Sequence, residues 1–273
     1  MTYICLFYAN ICNLVPFSLY CLQLYHDYQQ GQEYQTMHYD CIQEGIFLAR
    51  PNRFIAHVDL NGQTVVCHVK NTGRCRELLI PGVTVLLEYH KDALAKGRKT
   101  AYSLIGVYKK REGKPPLLIN MDSQAPNQAA WEWLQRQGLK NALISDIRRE
   151  VTYGTSRFDL AFLSDGRPSF MEVKGVTLEE NGLAMFPDAP TQRGVKHLEE
   201  LIKASQDGFL CFLLFVIQMK EMTAFTPNRR THPEFADALA AAQKAGVVIL
   251  AMDCQVRPDS MEIDAPVPVS LIS

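Results

Sequence analysis

Residues 157 to 174 read RFDLAFLSDGRPSFMEVK, which is two strand-like runs on either side of a turn. Phe158–Leu163 and Phe170–Lys174 are rich in apolar, strand-forming residues, whereas the residues between them are mostly turn formers. Because side chains alternate along a strand, Glu172 and Lys174 are expected to share one face of the second run. The sequence therefore predicts a β-hairpin that presents an acid and a lysine side by side.

Three ionisable side chains could converge at one edge of this hairpin. If Asp159 faces the same way as Glu172 and Lys174, two carboxylates and an ammonium meet beside an otherwise apolar sheet. Magnesium binds carboxylates and keeps several of its waters, so Asp159 and Glu172 are candidate ligands for Mg²⁺ or Mn²⁺, with the Val173 carbonyl beside them. Lys174 is then a candidate catalytic residue that orients a water or stabilises charge on a phosphate. Glu150, in the preceding strand-like segment, is a further candidate catalytic residue, as a metal ligand or an acceptor.

The segment that follows the hairpin predicts a helix with a polar face. Thr191–Ser205 has helical periodicity, and Thr191 is a candidate N-cap. Arg193 and His197 are four residues apart, so they share a helical face and are candidates to bind a phosphate or a leaving oxygen. The alternative interpretation is an ordinary solvated hairpin and helix, because an acid followed by Glu-x-Lys often arises by chance.

Charge is distributed unevenly along a chain whose net charge is −1. Residues 1–44 carry −4, residues 45–120 carry +8 and residues 121–273 carry −5. The basic middle segment favours a polyanion partner such as a nucleic acid, although a solvated basic surface would look the same. The 47% apolar and 21% charged content is typical of a globular protein, and no pair of cysteines has zinc-ribbon spacing. This composition predicts a cytoplasmic protein with no membrane partner.

Residues 1–44 differ in composition from the rest of the chain. They are rich in Tyr, Cys and Gln, and the first basic residue is Arg50. They lack both the positive start of a signal peptide and an uninterrupted apolar run long enough to span a bilayer. Two interpretations stay open: a helical appendage that packs on something else, or an upstream extension of a protein that begins later, for example at Met37.

Residues 45–120 predict a small basic β-barrel. Asn61-Gly62 is a two-residue hairpin sequence between two of the expected strands, and about five short strands in this length suit an oligonucleotide-binding (OB) fold. The candidate nucleic-acid contacts in this segment are Arg53, Lys70, Asn71 and Arg74. The expected strands are Gly45–Leu48, Arg53–Leu60, Gln63–Val69, Thr84–Tyr89 and Ser103–Lys109.

Residues 121–273 alternate between strand and helix patterns, which predicts an α/β domain with a mixed sheet and an α+β chain overall. The apolar run Phe209–Met219 is too short to span a bilayer and is expected to be a central strand covered on both faces. The other expected strands are Ile147–Tyr153, Phe158–Leu163, Phe170–Val173 and Val247–Met252. The other expected helices are Gln128–Gln137 and Pro233–Ala245.

From about Gly45 onward the chain resembles the sugar fermentation stimulation protein A family. The resemblance implies an N-terminal OB-like domain, a C-terminal domain similar to restriction-endonuclease-like nucleases of the PD-(D/E)xK type, DNA binding, and a role in regulating sugar (maltose) utilisation. It also implies that Asp159, Glu172 and Lys174 form the nuclease-like core, with Glu150, Arg193 and His197 nearby. The resemblance is carried by Asn71-Thr72-Gly73, Glu150–Gly154, Arg157-Phe158-Asp159, Glu172–Leu178, Phe186–Ala189 and Arg193–Leu198.

Two functions are compatible with these residues. The first is a DNA-binding protein that cleaves phosphodiesters with Mg²⁺ or Mn²⁺, and the second is a DNA-binding regulator that keeps the nuclease-like fold without turnover. An enzyme for small phosphorylated ligands is less favoured, since neither a P-loop nor a dinucleotide-binding glycine pattern occurs. The sequence leaves the strandedness of the nucleic acid and the oligomeric state open, with a homodimer as one candidate.

Overall fold

A computed structural model of the chain describes residues 37–71 and 73–271. Residues 1–36, which make up most of the N-terminal extension, lie outside the described part. Both interpretations of that extension therefore stay predictions. Thr72, one residue of the predicted turn in the basic segment, lies outside the described part as well.

The first half of the described chain is a six-stranded sheet, five strands of which close into a barrel. Its strands follow the order β3-β2-β1-β4-β5-β6, and parallel pairing of β3 with β5, from Cys67↔Tyr102 to Val69↔Leu104, closes it. Asn61 and Gly62 both have positive φ and join β2 to β3, as the hairpin sequence predicts. The strands are β1 (Ile42–Asn52), β2 (Ile55–Leu60), β3 (Gln63–Val69), β4 (Thr84–Tyr89), β5 (Tyr102–Arg111) and β6 (Lys114–Asn120).

Two features of the barrel differ from the sequence prediction. Strand β1 begins at Ile42 rather than Gly45, because Ile42 to Ile46 pair in full register with β4. Strand β6 was not predicted, since Pro115 and Pro116 argue against a strand. Proline is tolerated here because β6 is the last strand in the order of this sheet and pairs with β5 on one side.

The second half is built on a six-stranded mixed sheet of order β15-β14-β12-β9-β8-β7, with a small sheet of order β10-β11-β13 beside it. The expected hairpin is present: β8 and β9 are antiparallel and joined through Asp165 and Gly166, which both have positive φ. The helices are α1 (Ala125–Gln135), α2 (Gln192–Gln206) and α3 (Pro233–Lys244). The strands are β7 (Ile144–Tyr153), β8 (Ser156–Ser164), β9 (Arg167–Val176), β10 (Leu178–Glu180), β11 (Leu183–Phe186), β12 (Leu210–Ile217), β13 (Ala224–Pro227), β14 (Val248–Arg257) and β15 (Ser260–Pro266).

Strand β12 is the central strand that its apolar run predicts. It pairs in parallel with β9 on one side and β14 on the other, and nearly all of it is buried. One core, which includes Trp133 of α1 and Val173 of β9, covers one face of the sheet, and a second core, which includes Leu198 of α2 and Phe235 of α3, covers the other. This burial on both faces explains why the run reads as continuously apolar rather than alternating.

The barrel and the second domain share a continuous core. The cluster that contains Phe47 and Val85 of the barrel also contains Leu198 and Phe215 of the second domain. A polar contact also joins the two parts, because the backbone N–H of Asn120 donates to the backbone carbonyl of Gln218 at 3.0 Å. The α+β fold class, with an OB-like barrel followed by a mixed-sheet domain, is confirmed. Across residues 37–71 and 73–271, no helix has both the length and the apolar character that crossing a membrane requires.

Four strands of the second domain were not predicted. β10, β11 and β13 are three or four residues long, and β15 follows a tight turn after β14. The three shortest segments carry too few residues to show a periodicity, so tertiary pairing rather than local pattern defines them. Helix α1 begins at Ala125 rather than Gln128, because Pro126 occupies its first turn, where a missing N–H costs no helical hydrogen bond.

Candidate functional site

Asp159 lies where the ladder between β8 and β9 ends. The paired register runs from Ser164↔Arg167 to Leu160↔Met171. One residue beyond, the Asp159 carboxylate replaces a ladder partner: its Oδ2 accepts the backbone N–H of Val173 at 2.8 Å. The divergence of the two strands therefore fixes Asp159 beside the Glu172-Val173-Lys174 segment.

Asn127 of α1 is a site residue that the sequence prediction missed. Its Nδ2 donates to Oδ1 of Asp159 at 2.8 Å. The helix comes this close to the sheet at Gly175, where a β-carbon would lie 2.7 Å from Cγ of Pro126. Pro126 could have indicated Asn127 from the sequence, because a proline in the first turn places the helix start before Asn127.

Glu172 is the centre of a buried polar cluster, with 2% of its surface exposed. Its Oε1 accepts from Nζ of Lys174 at 2.6 Å and contacts Nδ1 of His197 in a short hydrogen bond. The Nε of Arg193 donates to Nε2 of His197 at 3.2 Å, so the His197 proton must lie on Nδ1, facing Glu172. The predicted residues Asp159, Glu172, Lys174, Arg193 and His197 are thus brought to one place.

Helix α2 delivers Arg193 and His197 to this cluster. Thr191 is its N-cap, and the Thr191 hydroxyl accepts the N–H of Gly194 at 3.0 Å. Leu198 and Leu201 pack into the core, which leaves the preceding turn facing the sheet edge. The N-cap and the apolar side of the helix together set where its polar residues lie.

The two carboxylates have opposite pKa shifts. Burial raises the pKa of Asp159, and the charge of Glu172 raises it further, against hydrogen bonds from Val173 and Asn127. Burial alone would also raise the pKa of Glu172, but hydrogen bonds and charge from His197 and Lys174 outweigh it, so its pKa is lowered. Glu172 is therefore firmly ionised, whereas Asp159 is the acid whose charge is costly.

The chemistry of the cluster fits a divalent cation. The Oε2 atom of Glu172 is buried without a hydrogen-bond partner, and an anionic oxygen in that position is stabilised by a cation. The charge of Glu172 raises the pKa of Asp159, so the two carboxylates lie close enough to repel each other. In the described ranges, no group of three or more His, Cys, Asp or Glu side chains is arranged to hold a metal. The site thus offers two carboxylates, a number that suits Mg²⁺ because this ion keeps several waters.

Glu150 lies on β7 with its carboxylate at the surface. It forms an exposed ion pair with Nη1 of Arg157 at 3.3 Å, and its φ is positive at 53°. Among the described residues, no hydrogen bond or ion pair links Glu150 to Asp159, Glu172 or Lys174, so its side chain is not brought into the cluster.

The predicted nucleic-acid residues of the barrel form a loop cluster organised by Arg50. The Arg50 guanidinium donates to the carbonyls of Arg53, Asn71 and Arg74, all at 2.7 or 2.8 Å. The side chains of Arg53 and Arg74 are exposed, and the Arg53 guanidinium lies 4.8 Å from the centre of the Phe54 ring. Phe54 is itself 44% exposed, so this loop presents two arginines and an aromatic ring to solvent.

Lys70 has a different environment from these arginines. Its Nζ donates to Glu88 at 3.1 Å and to Asp122 at 3.0 Å, and it lies over the ring of Tyr39. Two acids already neutralise this ammonium, and the side chain is about three-quarters buried. The structure therefore gives Lys70 an internal role at the junction between the barrel and α1.

The loop cluster that carries Arg53, Phe54 and Arg74, called the arginine loop from here on, contacts the segment that leads into α2. A β-carbon at Gly73 would lie 2.5 Å from Oδ2 of Asp188, which precedes the Thr191 cap. Burial raises the pKa of Cys75 to about 12, and the charge of Asp188 contributes to this rise. Arg53, Arg74, Arg193 and His197 are consequently carried by two adjoining segments.

Two family models match the chain in the order of the two folded regions. Residues 48–114 match the SfsA N-terminal OB domain, and residues 124–260 match the sugar fermentation stimulation protein RE domain. A sugar fermentation stimulation protein homolog of Desulfitobacterium hafniense (strain Y51) is 53% identical over 236 residues, which cover 86% of this chain and 99% of the homolog. The homolog of Ruminiclostridium cellulolyticum is 49% identical, over 86% of this chain and 100% of its own length.

A solved structure has the same architecture. The structure of Pyrococcus furiosus SfsA in complex with Ca²⁺ superposes with a TM-score of 0.74 at 28% sequence identity, over 86% of this chain and 99% of that one. Both the two-domain order and the sequence identity agree with the family models. The chain therefore belongs to the sugar fermentation stimulation protein (SfsA) family.

Proposed function

We propose that this protein binds DNA through the arginine loop of its barrel and cleaves phosphodiesters at the Asp159–Glu172–Lys174 cluster with Mg²⁺ or Mn²⁺. The observation that carries the proposal is the Oε2 atom of Glu172, which is buried, anionic and without a hydrogen-bond partner beside a second carboxylate and a lysine. Such an arrangement is costly as a purely structural feature, which supports a cationic ligand.

Asp159 and Glu172 would hold the ion. When bound, it would lower the pKa of a coordinated water and screen the negative phosphate. The remaining roles belong to the chain itself: Val173 and Asn127 hold the Asp159 carboxylate, and the Lys174 ammonium is placed to stabilise charge that develops on a phosphate oxygen. His197 acts as a positioning residue, since its Nδ1 proton holds Glu172 and its Nε2 orients Arg193.

Charge and geometry support the DNA partner. The segment that forms most of the barrel carries +8, and the loop with Arg53, Phe54 and Arg74 offers both phosphate contacts and a stacking surface. Because this loop adjoins the Asp188 segment, a strand held by the arginines would be led toward Arg193 and the cluster. The free thiols of Cys67, Cys75, Cys211 and Cys254, all buried, agree with a reducing cytoplasmic setting.

The direct test is cleavage of labelled single- and double-stranded DNA by the full chain with Mg²⁺ or Mn²⁺. We expect cleavage by the wild type and a loss of about 100-fold or more in Lys174→Ala, the scale on which removal of one transition-state donor acts. Lys244→Ala is the matched control, because it removes one exposed lysine at the end of α3. No cleavage by the wild type, or equal cleavage by Lys174→Ala, would remove the catalytic part.

One observation favours a second function, a DNA-binding regulator without turnover that acts on sugar utilisation. Oε1 of Glu172 is already taken by Lys174 and His197, which leaves one oxygen of this carboxylate available. DNA affinity that falls steeply with salt, combined with an absence of metal-dependent cleavage, would establish this function instead.

A further inference from the structure

A cavity of about 530 Å³ opens on the barrel between the start of β1, the end of β4 and the loop that leads to β5. None of the residues of the Asp159–Glu172–Lys174 cluster or of the arginine loop lines it. Cavities of this size hold small organic ligands. Its ionisable lining residues are Asp40, Cys41, Glu88, Tyr89, His90, Lys91, Lys96 and Arg98.

The lining carries unbalanced positive charge. Lys91, Lys96 and Arg98 form no ion pair with any acid of the described ranges. The acids of the lining are Asp40 and Glu88, and Glu88 contacts Lys70 at 3.1 Å, a lysine that it shares with Asp122; three cations therefore face two acids in the lining. The cavity is therefore electrostatically suited to an anion.

The arginine is held in place for such a role. The Nη2 of Arg98 donates to the hydroxyl of Ser103 at 2.9 Å. Ser103 is fully buried, and its hydroxyl also contacts Nε2 of His90 at 2.9 Å. A guanidinium has five N–H donors, so this anchor leaves others for a ligand. An anchored side chain loses less freedom on binding than a mobile one, which favours affinity.

The loop itself is ordered by its own backbone. The N–H of Lys96 donates to Asp92 at 3.0 Å, and the N–H of Arg98 donates to Ala93 at 2.9 Å. Ala93 is buried and lies between Lys91 and Lys96 in the chain, so it packs the loop against the barrel. The cations therefore surround a preformed cavity instead of lying on an extended tail.

The charges around the cavity also act on the histidine. Burial lowers the pKa of His90, the charge of Glu88 opposes this effect, and the smaller effects of Arg98, Lys70 and His68 lower the pKa further. His90 is neutral near pH 7 for this reason and shares a proton with Ser103. An anion in the cavity would reverse the effect of the cations on this imidazole.

We propose that this cavity binds a phosphate monoester of small-molecule size, with Arg98, Lys96 and Lys91 on the phosphate and Tyr89 beside the organic part. The shared chemistry has two sources, a free phosphorylated metabolite such as a mononucleotide or the 5′-phosphate at the end of a nucleic-acid strand. The inference is independent of phosphodiester cleavage, because it uses other residues in another part of the barrel.

The test is calorimetric titration of the full chain, without divalent metal, with adenosine monophosphate and with a short oligonucleotide that carries either a 5′-phosphate or a 5′-hydroxyl. We expect Arg98→Ala and Lys96→Ala each to weaken binding about tenfold, the effect of one charge-assisted contact. Lys99→Ala is the matched control, because it removes a neighbouring exposed lysine that does not line the cavity, and it should bind like the wild type.

The titrations with adenosine monophosphate and with the oligonucleotides distinguish a free phosphorylated metabolite from the 5′ end of a strand. Binding of the monophosphate identifies a free ligand, whereas binding of only the 5′-phosphorylated oligonucleotide identifies a strand end. Absence of binding in both arms, or equal losses in Arg98→Ala and Lys99→Ala, overturns the inference. Nuclear magnetic resonance of the His90 ring gives a second readout that needs no variant, because its pKa should rise when the phosphate is bound; an unchanged pKa at saturation would also overturn it.

Discussion

At the scale of single residues, two carboxylates of one hairpin behave differently because their partners differ. Glu172 receives a lysine and a histidine, which are charged or chargeable donors, and its pKa is lowered. Asp159 receives a backbone amide and the Asn127 amide, which are neutral donors, and its pKa is raised. The environments therefore make Glu172 the permanent anion and Asp159 the acid that gains most from a cation.

The substitution Asp159→Asn should stabilise the protein while it abolishes metal-dependent activity. Because ionised Asp159 is penalised by burial and by Glu172, its neutral replacement should raise the free energy of unfolding by about 1 kcal/mol at pH 7. The new amide oxygen still accepts the N–H of Val173, and Asn127 can turn its own oxygen toward the new amide. Denaturant titration of both proteins measures the difference.

The pH dependence of this difference has a defined sign. Because the pKa of Asp159 is higher in the folded state, ionisation of this acid destabilises the folded wild type as the pH rises through that pKa. Below the unfolded pKa of about 4, Asp159 is protonated in both states and the penalty is absent. The advantage of Asp159→Asn should therefore be present at neutral pH and vanish toward pH 4. Asp146→Asn, at an exposed acid paired with Arg148, is the matched control because it leaves the Asp159 environment unchanged. A difference that grew on acidification would contradict the assignment.

At the scale of elements, the site is made by the ends of one hairpin and the first turns of two helices. α1 supplies Asn127 from one side, and α2 supplies Arg193 and His197 from the other. The two helix starts are fixed differently: the hairpin positions α1 through Gly175 of β9, whereas α2 has its own N-cap. The Thr191 cap and the close contact at Gly175 set them, so both are places where the site can be disturbed without touching it.

Thr191→Ala should lower the free energy of unfolding by about 1 kcal/mol, the usual loss for an N-cap hydroxyl. The lost bond is the one from Gly194 to the hydroxyl at 3.0 Å. Since Arg193 lies in the first helical turn, fraying there should also lower any cleavage or DNA affinity that depends on it. Thr191→Ser keeps the acceptor and should behave like the wild type in denaturant titration; equal losses in both variants would show that the methyl packing, not the cap, matters.

Gly175→Ala should displace α1. The added carbon would lie 2.6 Å from Oε1 of Gln218 and 2.7 Å from Cγ of Pro126, and the Gln218 side chain is held by its bonds to Asn120 and Asp122. We expect a loss of about 1–3 kcal/mol, as for overpacking in a core. Cleavage should fall by more than stability predicts, because Asn127 moves with the helix. Wild-type stability in this variant would contradict the tight packing.

At the scale of the whole molecule, the barrel and the second domain form a single core with a nucleic-acid path proposed across their junction. The arginine loop lies on the barrel side and the start of α2 on the other, in contact at Gly73 and Asp188. Lys70 lies beneath this junction and ties the barrel to the residue that precedes α1, since Asp122 accepts from both Lys70 and the N–H of Gln124.

This arrangement predicts different outcomes for residues of similar charge. The double variant Arg53→Ala/Arg74→Ala should weaken DNA binding and reduce the slope of log affinity against log salt by about 2, one for each lost phosphate contact. Its stability should match the wild type, because the Arg50 bonds go to backbone carbonyls that remain. Filter binding at several salt concentrations measures the slope.

Lys70→Ala should have the opposite signature. Its removal leaves Glu88 and Asp122, both largely buried, without their ammonium, which should cost about 3 kcal/mol of stability. The salt slope of DNA binding should stay near that of the wild type under conditions where the variant is folded. A reduced slope with unchanged stability would return Lys70 to the set of phosphate contacts.

Local pattern was sufficient for the strands and helices that are long or buried. The hairpin of β8 and β9, the apolar β12 and the helix with Arg193 and His197 each carry a periodicity or composition that few other structures share. Short strands such as β10 and β13, and a strand that begins Lys-Pro-Pro, carry no such pattern and exist because a neighbour pairs with them.

The place of Asp159, Glu172 and Lys174 on one hairpin and the basic character of the middle of the chain can be predicted from the sequence, because strand alternation and formal charge are local properties. Which of these charges are unpaired depends on the folded arrangement. Lys70 is paired with two acids, Asn127 reaches the site through a helix contact, and one oxygen of Glu172 has no hydrogen-bond partner. Desolvation and ion pairing depend on groups that are distant in the chain, and no local pattern encodes their proximity.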